Sequence, residues 1–493
     1  MLQIKEGEYK NPVIYINLKR MNTNPYRQNR EELRELLHQY DNLKSGRNHN
    51  FIEEESFEII IDYFDERDEL INAIDAAGFA IELYPYSANL LLKKADLLIA
   101  TKKYREALFF LHQAELLDST DINLYILKTD AYLALDKQEK AASVLESAIH
   151  HFEGEEKIEL LYELSDVYDD YEHFDKVFDC LQLILEINPN EEEALHKICF
   201  WTDFTGRNEE GIRIHQKIIE EYPFNELAWF NLGAAYQGIK LYEKAIDAYL
   251  YAVAIDEKFD YAYRNMGDAY LRLRRYKEAI EVLQKVLELV RPEEVIYEVI
   301  ARCFDKLHNY AQARLHYRKA THLNPDNSQL FFKIACTYMN EFAWQSAIKN
   351  LQTAMLIYKM QPEYNLAMGQ CYMETGNIES AIQFFGNVVK YRPKNSNGWL
   401  ELLKCLYKSD YFEQGEEYVD LALLNTNNKP VFFIYKCAFL LSVGKSKEAM
   451  LQLEYGLEKN PKLIKKLIEL DPTVLQNQQI IDVVVRFKAK KVK

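Results

Sequence analysis

The chain has 493 residues, 48% of them hydrophobic and 28% charged, with a net charge of −17. That length exceeds one small core and calls for several domains or one repeated architecture, and the apolar share excludes a disordered chain. An acidic surface repels phosphate backbones, which argues against nucleic acid as a partner.

Few breakers (16 Gly, 12 Pro) and many aromatics (35 Tyr, 25 Phe) predict long helices with aromatic packing. No apolar run reaches the ~18–20 residues of a membrane span, and the N-terminal run "VIYI" is too short for a secretory signal core. A cytoplasmic protein without membrane insertion is the expectation. The seven cysteines form no CxxC pair and fall inside helical patterns, which reads as free, reduced thiols.

In chain order, residues 1–20 read as a tail ahead of a second candidate start at Met21. The stretch "NREELRELLHQYDNL" (29–43) predicts an amphipathic helix capped by Asn29, so residues 1–53 are a tail and a capping helix. A 34-residue period then runs through 54–463. Units start at 54, 88, 122, 158, 192, 226, 260, 294, 328, 362, 396 and 430, with a two-residue insertion in "HFEGEEK" shifting the frame before the fourth.

Position 20 of the unit tests the register. It holds a small residue nearly throughout, from Ala73, Ala107 and Ala141 to Ala381, Gly415 and Ala449. Positions 4, 7, 8 and 11 share one face of a first helix, and positions 20, 24 and 27 one face of a second. Small residues at 8 and 20 allow an approach of about 8–10 Å between the two axes. Pro at position 32 (Pro85, Pro189, Pro223, Pro325, Pro393, Pro461) ends the second helix. After Pro461, residues 464–493 predict one or two capping helices and a basic tail, "KAKKVK".

"AWFNLGAAYQ" (228–237) and "AYRNMGDAYL" (262–271) carry the pattern W-x2-L-G-x2-Y…A-x3-F…P. This resembles the tetratricopeptide repeat, and the whole chain resembles bacterial proteins made of such repeats alone. The resemblance implies an all-α, right-handed superhelical α-solenoid of about twelve repeats. It also implies a non-catalytic protein-interaction scaffold that binds an extended peptide or a partner helix in its concave groove.

In such repeats, positions 2, 5, 9, 12 and 13 of the first helix face the groove. Position 9 is Asp62, Asp96, Asp130 and Asp166 in the first four units and Asp268 in the seventh. Two readings of this row stand open: recognition of a basic segment, or solubility of the groove. From the fifth unit, Phe200, Phe204, Phe230, Tyr261 and Phe332 take groove positions, with Arg264, Arg272 and Arg302 among them. Aromatics and Arg are common interface anchors, although the superhelix can bury some of these rings itself. Asn231 and Asn265 stand at position 6, where the sugar-transferase relatives place a ladder of asparagines for a peptide backbone. The Lys and Asn pair of chaperone-binding members is missing from every unit.

Sites of chemistry are not legible. Gly444-Lys445-Ser446 lacks the leading glycine of a phosphate loop and sits at a repeat turn. "DVYDDYEHFD" (166–175) lacks the spacing of a calcium loop, and no HExxH or Cys/His cluster at metal spacing is present. No enzyme activity, cofactor or metal is expected, and the partner class is protein or peptide. Self-association into an oligomer is the alternative.

Overall fold

The computed structural model describes residues 30–47 and 51–489. The expectations for residues 1–20, for the cap at Asn29 and for the end of the basic tail lie outside the described residues. Those described are all α, with no strand among them. A leading helix α1 (Arg30–Lys44) is followed by twelve consecutive helix pairs.

These are α2/α3 (Glu54–Glu66, Leu70–Leu83), α4/α5 (Ala88–Ala100, Tyr104–Leu117), α6/α7 (Ile122–Leu133, Gln138–Ala148) and α8/α9 (Gly154–Asp170, Phe174–Ile187). Next come α10/α11 (Glu192–Thr205, Asn208–Glu221), α12/α13 (Glu226–Gly238, Tyr242–Ile255), α14/α15 (Asp260–Arg272, Tyr276–Leu289) and α16/α17 (Glu294–Lys306, Tyr310–Leu323). The last four are α18/α19 (Ser328–Asn340, Trp344–Ile357), α20/α21 (Pro362–Glu374, Ile378–Tyr391), α22/α23 (Ser396–Lys408, Phe412–Asn425) and α24/α25 (Pro430–Ser442, Ser446–Lys459). Two further helices follow, α26 (Ile464–Leu470) and α27 (Gln478–Ala489).

The backbone repeats the sequence period. The fifteenth residue of each unit is left-handed: Asp68, Lys102, Asp136, Glu172, Gly206, Lys240, Arg274, His308, Phe342, Gly376, Asp410 and Gly444 all have φ between 57° and 82°. This residue turns the chain between the two helices of a pair. Gly444 is therefore a repeat turn, and the acidic stretch 166–175 runs from the end of α8 through the turn that holds Glu172 into α9.

The chain divides into two compact units, Met1–Ala269 and Tyr270–Lys493, with α14 spanning the division. In the first, Tyr40 of α1 is buried against Phe57, Phe64 and Phe79. From α4 onward one continuous apolar cluster runs to α12, with the position-20 alanines Ala107 and Ala141 fully buried. In the second, Ala313, Ala347, Ala381 and Ala449 hold the same place. Leu467, Val474, Ile480 and Val483, from the segment after the twelfth pair, pack against Ile434, Leu453 and Leu457. Local devices fix the joints: the indole Nε1 of Trp229 donates to the carbonyl of Pro223 at 2.9 Å, and that of Trp399 to Pro393 at 2.7 Å. All seven cysteines are unpaired and at least half-buried, and burial pushes the Cys180, Cys199 and Cys437 thiols up to about 12.

Candidate partner-binding face

Within each compact unit the first helices of successive pairs lie side by side, and their contacts show a register that the sequence alone does not reveal. Position 9 of one unit faces position 6 of the next. Lys93 of α4 reaches Asp62 of α2 at 2.5 Å, and Lys197 of α10 reaches Asp166 of α8 at 3.8 Å. In the second compact unit a related pairing joins Lys333 of α18 to Glu298 of α16 at 2.6 Å.

The same register sets Glu163 of α8 opposite Asp130 of α6. Here carboxylate meets carboxylate where the α2–α4 and α8–α10 steps place a lysine. Neither carboxyl carries an ion pair among the described residues. Desolvation, reinforced by Asp96, raises Asp130 to about 6. Desolvation raises Glu163 to about 7, together with the charges of Asp130, Asp166 and Glu159, while Lys197 pulls it back. Desolvation also raises Asp166, with Lys197 opposing and Asp169 adding to it. The acidic row is therefore uneven: its ends are matched by lysines, and its surplus charge centres on the α6–α8 step.

Other expected residues are distributed as follows. Asp96 is exposed. Asp268 accepts a hydrogen bond from Nε2 of Gln237 at 3.0 Å, and Oε1 of Gln237 accepts from the Tyr249 hydroxyl at 3.1 Å. The expectation of an open asparagine ladder is corrected at Asn231. It is buried, and its Nδ2 donates to the carbonyl of Leu195 at 2.7 Å, tying α12 to α10. Asn265 is half-buried. Arg264 pairs with Asp260 on its own helix at 2.9 Å, while Arg302 is exposed.

The aromatic row separates into two kinds. Phe230 packs against Tyr249 of its own pair and Phe259 of the linker that follows, with centroids 5.7 and 5.0 Å away, and Phe332 packs against Tyr364 of the next pair at 5.0 Å, so both are spent on packing within the chain. Phe200, Phe204 and Tyr261 are 56%, 55% and 61% exposed. Sequence reasoning missed Glu163, Lys93 and Lys197, and the position-6 column read against position 9 was the signal that would have found them.

Among the described residues, no group of three or more His, Cys, Asp or Glu is placed to hold a metal ion, and no helix is long and apolar enough to cross a membrane.

Stacked helix pairs with a side-by-side row of first helices define a helical-repeat protein of the solenoid class. The tetratricopeptide-repeat model matches residues 227–259 and 362–395, and the model for the N-terminal tetratricopeptide-repeat region of Psidin matches residues 267–367. The matched residues are tetratricopeptide repeats, and the 34-residue period and the paired helices continue on both sides of them. Comparison with curated proteins found no sequence match.

Several solved structures are similar. YrrB, described as a tetratricopeptide-repeat protein with an unusual peptide-binding site, is 20% identical, with 37% of this chain and 95% of that chain covered and a TM-score of 0.33. The C-terminal part of a tetratricopeptide-repeat protein from Cytophaga hutchinsonii is 16% identical over 52% of this chain and 99% of that one, with a TM-score of 0.42. A chain of the Cut9–Hcn1 hetero-tetramer of the APC/C is 11% identical over 81% of this chain and 96% of that one, with a TM-score of 0.32. Repeats of this class are protein-interaction modules.

Proposed function

We propose that the protein is a non-catalytic cytoplasmic scaffold that holds a basic, extended segment of a partner protein against its row of first helices. The observation that carries this reading is the facing pair Asp130 and Glu163. Lys93 balances the first step of the row and Lys197 the step that follows this pair, and this one is left for a cation to fill. A guest lysine or arginine there gains two carboxylates already stripped of part of their water. The first helices form a preordered support, so the ordering cost falls on the partner alone. Unpaired cysteine thiols suit a reducing compartment.

The test uses Glu163→Lys, which supplies the missing lysine from within the chain. Wild type and variant serve as baits in a native cell extract, and each captured protein is then titrated in purified form at two salt concentrations. A partner that binds wild type and loses about tenfold or more in affinity to the variant supports the scaffold reading. Equal capture by both baits would remove the acidic step from recognition. A mass that rises with protein concentration and no captured partner would point to self-association.

A further inference from the structure

The fifth pair presents an aromatic surface that packing within the chain leaves half open. Phe200 and Phe204 stand one turn apart on α10, their rings 5.7 Å apart and tilted by only 24°. Trp201 and Phe174 support them from behind: Trp201 stacks on Phe174 at 5.4 Å, and Phe174 meets Phe204 edge-on at 4.9 Å. The front rings are thus held in fixed orientation while more than half of each stays exposed.

Neighbouring α8 carries Asp166, Asp169 and Asp170 on its last turns. Lys197, one turn before Phe200, reaches Asp166 and so registers those carboxylates beside the rings. Asp203 of α10 adds a further carboxylate between the two phenylalanines in sequence. The lysine is shared, lying 2.9 Å from Glu193 as well. Four carboxylates of α8 and α10 therefore accompany the exposed rings, and among the described residues the Lys197 ammonium pairs with one of them.

We infer that Phe200 and Phe204, with the carboxylates of α8, form an arginine subsite for a segment of a partner protein. Arginine alone among the side chains meets both halves of this surface. Its guanidinium face stacks on a ring, and its edge donates in a fork to carboxylates. A lysine is a compact, strongly hydrated charge that pairs with the carboxylates but leaves the rings uncovered. An aromatic or aliphatic guest would strip water from the carboxylates without pairing them, and a phosphate-bearing guest is repelled. The subsite rests on the scaffold reading above and narrows it. One helix layer, about 10 Å or three residues of extended chain, separates it from the Asp130–Glu163 step. The partner then carries an arginine about three residues from a second cation.

The test is fluorescence anisotropy on the full chain. The probes are labelled Gly-Ser peptides bearing four arginines at every third position, and lysine and glutamate counterparts. Arginine is expected to bind about fivefold more tightly than lysine, and glutamate not at all. Phe200→Leu with Phe204→Leu keeps apolar groups at both exposed positions. It should bring the arginine peptide down to the affinity of the lysine peptide while leaving the latter unchanged. Asp166→Asn with Asp170→Asn should weaken both. Equal binding of the two basic peptides to wild type, with loss of both in the asparagine variant, would overturn the aromatic subsite and leave the acidic face standing. Failure of every peptide to bind wild type would overturn both.

Discussion

A methyl group added at Gly233 of α12 would lie 2.5 Å from Cε1 of Tyr249 on α13. Gly369 stands in the same relation to Phe385, at 2.6 Å. A large ring at position 24 thus fills the space that glycine leaves at position 8. Alanine at Gly233 would gain about 1 kcal/mol of helix propensity. The ring has nowhere to retreat, because Tyr249 is fully buried and its hydroxyl is tied to Gln237. Gly233→Ala is expected to destabilise by about 1–3 kcal/mol, the usual range for overpacking. Gly386, inside α21, has open space where its Cβ would stand. Gly386→Ala should raise stability by about 1 kcal/mol. Urea midpoints of the two variants, moving in opposite directions, check both.

Residues that act within one helix pair were legible in the sequence. Position 20, the glycine at position 8 and the ring at position 24 meet inside a pair, so their spacing reports their contact. The insertion before the fourth unit was legible as a frame shift, but not where it would go. It lengthens α8, which starts at Gly154 and runs 17 residues, so the turn at Glu172 keeps its place. Contacts between pairs were not legible. The pairing of Lys197 with Asp166, the turn of Asn231 toward Leu195 and the packing of Phe332 on Tyr364 all depend on how one first helix is rotated against the next, and no periodicity within a helix reports that rotation.

Phe342 occupies the left-handed turn position with φ of 60°. A side chain with a Cβ pays about 1 kcal/mol for that conformation, and glycine does not. Its ring is 75% exposed and touches Trp344 at 5.8 Å, so little packing is lost with it. Phe342→Gly should therefore be neutral to stabilising by about 0.5–1 kcal/mol, against the ordinary expectation for deleting a phenylalanine. A thermal midpoint equal to or above that of wild type is the expected result, and a fall of several degrees would refute it.

The acidic step makes binding depend on pH. Glu163, raised to about 7, and Asp130, raised to about 6, are protonated in part near neutrality and attract cations only when ionised. Affinity for the arginine peptide should fall as pH drops from 8 to 5.5, and binding near pH 7 should release protons, visible calorimetrically in buffers of different ionisation enthalpy. The stability sign is the reverse. A carboxyl raised on folding contributes stability that is present below about 4.5 and lost as pH rises through 7. Glu163→Gln should then stabilise the fold at pH 8, by about 1 kcal/mol once solvent screening is allowed for, while weakening the basic peptide. A variant that lost both stability and affinity would show that Glu163 serves packing alone.

His215 of α11 gives the opposite pH response. It stands at position 24, where Leu181 and Leu283 stand in other units, and it is 1% exposed with neither ring nitrogen hydrogen-bonded. Burial lowers it from 6.5 to about 3, so the fold holds the neutral ring. The unfolded chain takes up a proton near 6.5 and the folded one does not. Stability from this residue is therefore complete above pH 6.5 and is lost as pH falls toward 3, by about 1.4 kcal/mol per unit, or about 2 kcal/mol at pH 5. His215→Leu keeps an apolar side chain in place, removes two unsatisfied nitrogens and abolishes the proton uptake. It should match or exceed wild-type stability at pH 7 and surpass it by about 2 kcal/mol more at pH 5. Comparing the two proteins cancels the carboxyl contributions of α6 and α8, which run the other way. Hydrogen exchange along α10 and α11 should show wild type opening locally at pH 5 and the variant protected. Equal protection in both would mean that the ring finds a partner or water when charged.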